Sequence, residues 1–287
     1  MPAAMDGTDF RRRRFATWAK FVVAGLVVAW LVGTAWHDTM ADPIVRRTSV
    51  VLSRMPANAA PVTVVLLSDI HVAEPNMPPS RVARIVEQVN ALRPDLIVLA
   101  GDFLSDPGFG IRPYSADVAI APLAKLRAPL GVYAVIGNHD HWGKDGGVRR
   151  ELARRGIILL ANQARRAGPL ALGGLDDEFV KRHRVTRILA EMKGLGGGLV
   201  LLSHSPDEFA LLPRNSGLQL AGHTHCGQVS FFGWAPITNS RYGQRFACGL
   251  VSERGNVLVV TAGLGTSVVP FRFGAVPDIW LVRVRPR

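Results

Sequence analysis

At 287 residues, 48% of them apolar and 20% charged, the chain is long and apolar enough for one large α/β domain with its own core, which excludes a disordered or strongly acidic protein. A net charge of +12 suits an anionic partner, whether a membrane surface, a phosphorylated lipid or nucleic acid. With only Cys226 and Cys248 present, neither a disulfide framework nor a cysteine zinc cluster is expected to carry the fold.

The first residues stand apart from the rest. Arg11 to Arg14 precede an apolar run from Phe21 to Trp36, with Trp18, Trp30 and Trp36 where interfacial aromatics sit. Extended back over Phe15 to Lys20, with the Lys20 ammonium reaching the headgroups, the run predicts one membrane-spanning or signal-anchor helix over residues 15–37. Arg12-Arg13-Arg14-Phe15 resembles a twin-arginine export signal, with Ala16 and Thr17 in place of the usual leucine and lysine. Thr39-Met40-Ala41 is a poor cleavage site, which favours an uncleaved anchor. A basic tail over residues 1–14 predicts a cytoplasmic amino terminus and an outward-facing domain, although Arg46, Arg47 and Arg54 weaken that asymmetry. Residues 38–60, with scattered prolines and no sustained period, read as a linker to a compact domain over 61–287.

Val62 to Leu67 is a valine-rich apolar run, the pattern of a strand covered on both faces, and it ends in Ser68-Asp69-Ile70-His71. Residues two apart on an extended chain point to one side, so Asp69 and His71 can converge on one cation. Ser80 to Ala91 has the period of a helix, with Ser80 as its expected cap. Asp95 to Leu99 repeats the strand pattern and ends in Gly101-Asp102, and Phe103 to Pro113 is a glycine- and proline-bearing loop above the same rim. Ala116 to Leu126 reads as helical. Gly131 to Ile136 is a third strand, ending in Gly137-Asn138-His139-Asp140-His141.

Gly146 to Gly156 reads as a short arginine-rich helix, Ile157 to Leu160 and Leu170 to Leu175 as strands, and Lys181 to Lys193 as a basic helix with one apolar face. Leu199 to Leu202 ends in Ser203-His204, and Leu218 to Ala221 ends in Gly222-His223-Thr224-His225. Val257 to Thr261 and Ile279 to Val284 add two more strands.

The strand ends thus supply Asp69, His71, Asp102, Asn138, His139, His204, His223 and His225. Oxygen and imidazole donors without thiolate suit manganese, iron or zinc, and their number exceeds what one tetrahedral ion uses, which points to two divalent ions. Any one of these residues alone could be a helix cap or a satisfied histidine. Five separate segments, each placing such groups just after an apolar strand, make a common site the better reading.

These motifs, in this order over Val62 to about Val284, resemble those of the calcineurin-like metallophosphoesterases. The resemblance implies a four-layer α/β/β/α sandwich. It implies that Asp69, His71 and His225 hold a first metal, that Asn138, His204 and His223 hold a second, and that Asp102 bridges them. It also implies that His139 is a proton donor or phosphoryl clamp rather than a ligand, oriented by Asp140, and that a water shared by the ions attacks phosphorus in line. The amino-terminal span and the stretch from Ala262 to Ile279 are similar to membrane-anchored bacterial members, some of which hydrolyse the pyrophosphate of UDP-2,3-diacylglucosamine. Those members usually carry glycine where this chain has Cys226, read here as a small buried cysteine.

The expectation is therefore a single-pass protein of a bacterial cytoplasmic membrane that hydrolyses a phosphoester or pyrophosphate of a small molecule or lipid. A non-enzymatic binding platform of the same fold and a nuclease or phosphodiesterase acting on nucleotides are the alternatives. The anchor and the lack of an aromatic, basic single-strand groove argue against nucleic acid as the partner.

Overall fold

A computed structural model describes residues 7–108, 110–142, 147–177 and 183–287. The first helix, α1 (Gly7–Met40), is followed by β1 (Ile44–Val51), β2 (Val62–Leu67), β3 (Ala73–Glu74), α2 (Pro79–Ala91), β4 (Leu96–Leu99), β5 (Arg112–Pro113), α3 (Ala116–Ile120) and β6 (Val132–Ala134). Then come α4 (Asn138–Trp142), α5 (Gly147–Arg154), β7 (Ile158–Leu159), β8 (Gln163–Ala167), β9 (Leu170–Gly174), α6 (Val185–Leu195), β10 (Gly198–Leu202), β11 (Leu218–Ala221), β12 (Gly249–Glu253), β13 (Asn256–Val260) and β14 (Asp278–Arg285). The side chains of Arg11 to Arg14 and the expected helix starts at Gly146 and Lys181 fall outside the described residues.

Two six-stranded sheets form, in the orders β1-β14-β2-β4-β6-β7 and β12-β13-β11-β10-β9-β8. Alternation along each strand divides the core into three layers. Val65, Leu67, Ile97 and Leu99 pack outward against Val82, Ile85, Val86 and Val89 of α2. Their neighbours Val64, Leu66, Leu96 and Val98 face Leu170, Leu172, Val200 and Leu202 across the gap between the sheets. On the far side, Ala171, Leu199 and Leu201 meet Ile188, Leu189 and Met192 of α6. Each fully buried leucine or valine contributes about 1.5–3 kcal/mol, so the central layer alone supplies a large part of the stability. The architecture is the four-layer α/β/β/α sandwich that the family resemblance implies.

The strands β2, β4 and β6 of one sheet run parallel to one another, as do β9, β10, β11 and β13 of the other. Their carboxyl ends therefore open on one rim.

Two readings of the chain are corrected here. The linker over residues 38–60 contains β1, which pairs in parallel with β14 over eight residues from Ile44↔Asp278 to Val51↔Arg285 and forms the sheet edge. Only three residues separate it from α1, which runs to Met40, beyond the predicted end at 37. Ser80 does not cap α2. That helix starts at Pro79, and a proline in the first turn needs no partner for an N–H it lacks.

Within α1, Phe15–Met40 is the one described segment long and apolar enough to cross a membrane, and it packs on nothing over most of its length. Its last turn is held firmly to the domain. The Asp38 carboxylate accepts the Gly274 N–H (2.7 Å), and the Thr39 hydroxyl accepts the Arg272 N–H (2.7 Å). The buried Arg81 guanidinium donates to the carbonyls of Thr39 (3.0 Å) and Ala41 (2.6 Å).

Candidate metal centre

Each residue of the centre follows a buried strand, and the turn that presents it is tight. Asp69, His71, Asp102, His223 and His225 all hold positive φ between 45° and 70°, a region that costs a non-glycine residue energy and clusters at functional sites. Backbone hydrogen bonds over-determine those turns: Asp69 N–H to Gly101 O (3.0 Å), His71 N–H to Asp102 O (3.1 Å) and Gly222 N–H to His204 O (2.9 Å). Two glycines keep room for the carboxylates. A Cβ at Gly137 would fall on the Asp102 carboxylate, and one at Gly222 on Ser68 and the Asp69 carboxylate.

All seven residues expected to bind metal converge. Asp69, His71 and His225 offer ligand atoms within 4.8 Å of one another, as do Asp102, His204 and His223. His71 Nε2 lies 3.2 Å from His225 Nε2, and His225 Nε2 lies 3.4 Å from Asp69 Oδ1. His204 Nε2 is 3.0 Å from Asn138 Oδ1, 3.0 Å from His223 Nδ1 and 3.2 Å from Asp102 Oδ2. Asp102 stands between the groups, with Oδ2 also 3.5 Å from His71 Nε2 and Oδ1 accepting the His139 N–H (2.9 Å).

The donor set fits a cation. His71 and His204 each direct Nδ1 at a backbone carbonyl, Leu104 O at 3.0 Å and Ala100 O at 2.7 Å, which orients each ring with Nε2 facing the centre. Carboxylate oxygens, an amide oxygen and imidazole lone pairs then crowd one buried space, an arrangement that a shared positive charge relieves.

Electrostatics follow from the burial. Removal from water pushes the His71 and His223 imidazoles down to about 3 and holds His225 well below its ordinary value. Burial likewise raises the Asp69 carboxyl to about 6. For Asp102 and His204, burial opposes ionisation, but their mutual attraction outweighs it, holding the carboxyl below the usual range and the imidazole well above.

His139 joins His71 and Asp102 in a third such group, yet its ring is committed elsewhere. Its Nδ1 lies 2.6 Å from Asp106 Oδ2 and its Nε2 lies 3.2 Å from Ser267 Oγ. The carboxylate of Asp140, expected to orient His139, accepts the backbone N–H groups of Phe103 (2.9 Å), Leu104 (3.0 Å) and Gly137 (3.1 Å), tying the loop after β4 to the turn after β6. Asp106, four residues beyond Asp102 in the loop already seen above the rim, is the residue that sequence reasoning missed.

Cys226 is also corrected: it is not a lone buried thiol but is disulfide-bonded to Cys248. The bond fastens the turn that carries His225. Behind that turn, the fully buried Arg272 donates to the carbonyls of Ala262 (2.8 Å), Gly265 and Ala275 (3.0 Å) and brings Nη2 to 3.4 Å from His225 Nδ1. The centre opens to solvent through a cleft of about 240 Å³ bordered by Asp102, Asn138, His139, Asn239, Ser267 and Val268.

Residues 62–227 match the calcineurin-like phosphoesterase family. The chain belongs to that family. A Caenorhabditis elegans relative, F40B5.2, is 34% identical over 222 residues, which is 71% of this chain and 44% of that protein. The uncharacterized metallophosphoesterase YkuE of Bacillus subtilis strain 168 is 32% identical over 68% of this chain and 69% of its own length. The Danio rerio transmembrane protein with metallophosphoesterase domain is 31% identical over 91% of this chain and 60% of its own. Thus the chain spans about half the length of the first of these relatives. Among solved structures, a 5'-nucleotidase precursor from Thermus thermophilus aligns with a TM-score of 0.46 and 14% identity, over 78% of this chain and 55% of that one.

Proposed function

We propose that this protein is a membrane-tethered phosphoester hydrolase that works with two divalent metal ions. The observation that carries the reading is the convergence of two groups, Asp69, His71 and His225 on one side and Asn138, His204 and His223 on the other, with the Asp102 carboxylate within reach of both through His71 and His204. On this reading Asp69, His71 and His225 hold one ion, Asn138, His204 and His223 the other, and Asp102 both. Divalent cations bound there would neutralise phosphoryl oxygens and acidify a bound water.

The chain's own groups do the rest. His139, at the mouth of the cleft, donates a proton from Nε2 to the leaving oxygen. Asp106 accepts the Nδ1 hydrogen bond and so orients the ring. Asp140 acts on the reaction only through the loop it braces.

An outward-facing domain is supported by the Cys226–Cys248 bond, since disulfides persist in oxidising compartments, together with the basic residues Arg11 to Arg14 that precede the apolar run. That placement disfavours a nucleotide-linked lipid precursor such as UDP-2,3-diacylglucosamine, which is cytoplasmic, and favours a phosphoester met at the outer face of a bacterial cytoplasmic membrane.

Purified full-length protein loaded with manganese is expected to hydrolyse p-nitrophenyl phosphate or its bis ester, to stop on chelation, and to lose the activity in Asp102→Ala. Equal turnover by wild type and variant overturns the reading.

A further inference from the structure

A second cavity lies beside the metal cleft and differs from it in every respect. At about 420 Å³ it is the larger, and its walls are almost wholly apolar: Leu31, Val32 and Trp36 of α1 on one side, Val229, Phe231 and Phe271 of two domain loops on the other. Its location is telling. One wall is the segment of α1 suited to a bilayer, so the groove opens where that helix leaves the domain. Next to the lining residue Phe231, Phe232 and Trp234 stand exposed, apolar aromatics of the kind that rest at a membrane interface.

The two cavities share a wall. Residues 267–273 form a strap whose near end, Ser267 and Val268, borders the metal cleft and whose far end, Pro270, Phe271 and Phe273, borders the groove. Gln228 clamps that strap, donating to the carbonyls of Ser267 and Val269 (both 3.0 Å) and accepting the Ser267 N–H (2.7 Å). The opposite wall repeats the pattern: His225 belongs to the metal centre, and Val229, four residues on, belongs to the groove. Three residues from Val268 to Phe271 span at most about 11 Å, and four from His225 to Val229 at most about 14 Å. A lipid with its phosphate at the metals can therefore lay a chain in the groove without leaving the protein surface.

We infer that this groove is the acyl-chain subsite of the substrate, and that the substrate is a phosphorylated membrane lipid drawn laterally from the bilayer. The inference rests on the phosphoesterase reading and adds to it a ligand class and a place for its tail. The occupant is the chain of the substrate lipid rather than a bulk lipid, because only a molecule anchored at the metal centre uses both ends of the strap. Burial of methylenes in an apolar groove supplies affinity that a soluble phosphoester lacks.

The test uses full-length, manganese-loaded protein in nanodiscs. The probe is phosphatidic acid with a photoreactive diazirine on its acyl chain, with adducts mapped by mass spectrometry. Adducts on Leu31–Trp36 and on residues 229–231 and 270–273, competed by unlabelled phosphatidic acid and not by phosphatidylcholine, are expected. Filling the groove with Ala35→Trp should remove them and lower the ratio of dioleoyl phosphatidic acid to p-nitrophenyl phosphate turnover by something on the order of tenfold. Equal competition by phosphatidylcholine, adducts scattered along α1, or crosslinking of the groove to a second copy of the chain would each overturn the inference, even with aryl phosphate hydrolysis intact. Loss of aryl phosphate hydrolysis in the wild type would instead remove the phosphoesterase reading beneath it.

Discussion

His139 and Asp106 are paired, Nδ1 to Oδ2, at 2.6 Å, while His139 Nε2 faces the cleft beside Ser267. An imidazole held by a carboxylate on one nitrogen presents the other in a fixed direction. Asp106→Asn is expected to lower kcat by about ten- to a hundredfold with little change in KM. The loss should be greater for an alkyl phosphate than for p-nitrophenyl phosphate, whose leaving group needs no proton. Equal losses for both substrates would argue that Asp106 only shapes the loop.

Asp140 is expected to behave differently. Asp140→Ala leaves three buried N–H groups, those of Phe103, Leu104 and Gly137, without their acceptor, at a cost of about 1–3 kcal/mol for each one that finds no water. The variant should unfold at lower denaturant, and the activity of its folded fraction should fall less than that of Asp106→Asn. A normal denaturation midpoint with abolished turnover would reinstate a direct catalytic role.

The bond between Cys226 and Cys248 closes a loop of 22 residues, which by chain entropy stabilises the fold by about 3 kcal/mol. Because Cys226 adjoins His225, the Cys248→Ser variant is expected to lose metal as well as stability. Metal content after dialysis, measured against the wild type, tests the link. Unchanged metal with lowered stability would confine the disulfide to the fold.

Chelator-treated protein is expected to be acid-labile. His71 and His223, held near 3 by burial, stay neutral in the fold while the unfolded chain takes up protons near 6.5. Their contribution is full above about 6.5 and is lost as pH falls toward 3, as is that of His225, lowered in the same direction. Asp69 and Asp140, raised by burial to about 6 and about 7, run the other way, their contribution fading as pH rises through those values. Three imidazoles, displaced further, outweigh two carboxyls at about 1.4 kcal/mol for each tenfold change in proton affinity. The Tm of the metal-free protein should fall between pH 6.5 and 3. A Tm that rises over that interval contradicts the burial of these rings.

The residues of the candidate metal centre were legible because each follows an apolar run, and buried strands are the strongest signal a sequence carries. The edge strands were not. In β1, Arg46, Arg47, Thr48 and Ser49 stand in succession, and in β8 Arg165 and Arg166 do, because an edge strand is half-exposed and needs no alternating apolar face. The orienting role of Asp140 came from the family resemblance alone, and within α4 consecutive side chains point in different directions, so adjacency to His139 in sequence does not by itself give a contact. Two lone cysteines carry no signal of pairing, and only the loops from β11 to β12 bring them together.

Placing β1 three residues beyond α1 and bonding it along β14 leaves no leash between the proposed anchor and the hydrolytic mouth. If α1 anchors the chain as proposed, the opening of the cleft would sit at a set altitude above the lipid surface and with a set tilt. Cargo bound to distant proteins would be out of range, and diffusion within the leaflet, rather than swinging of the domain, would govern encounter.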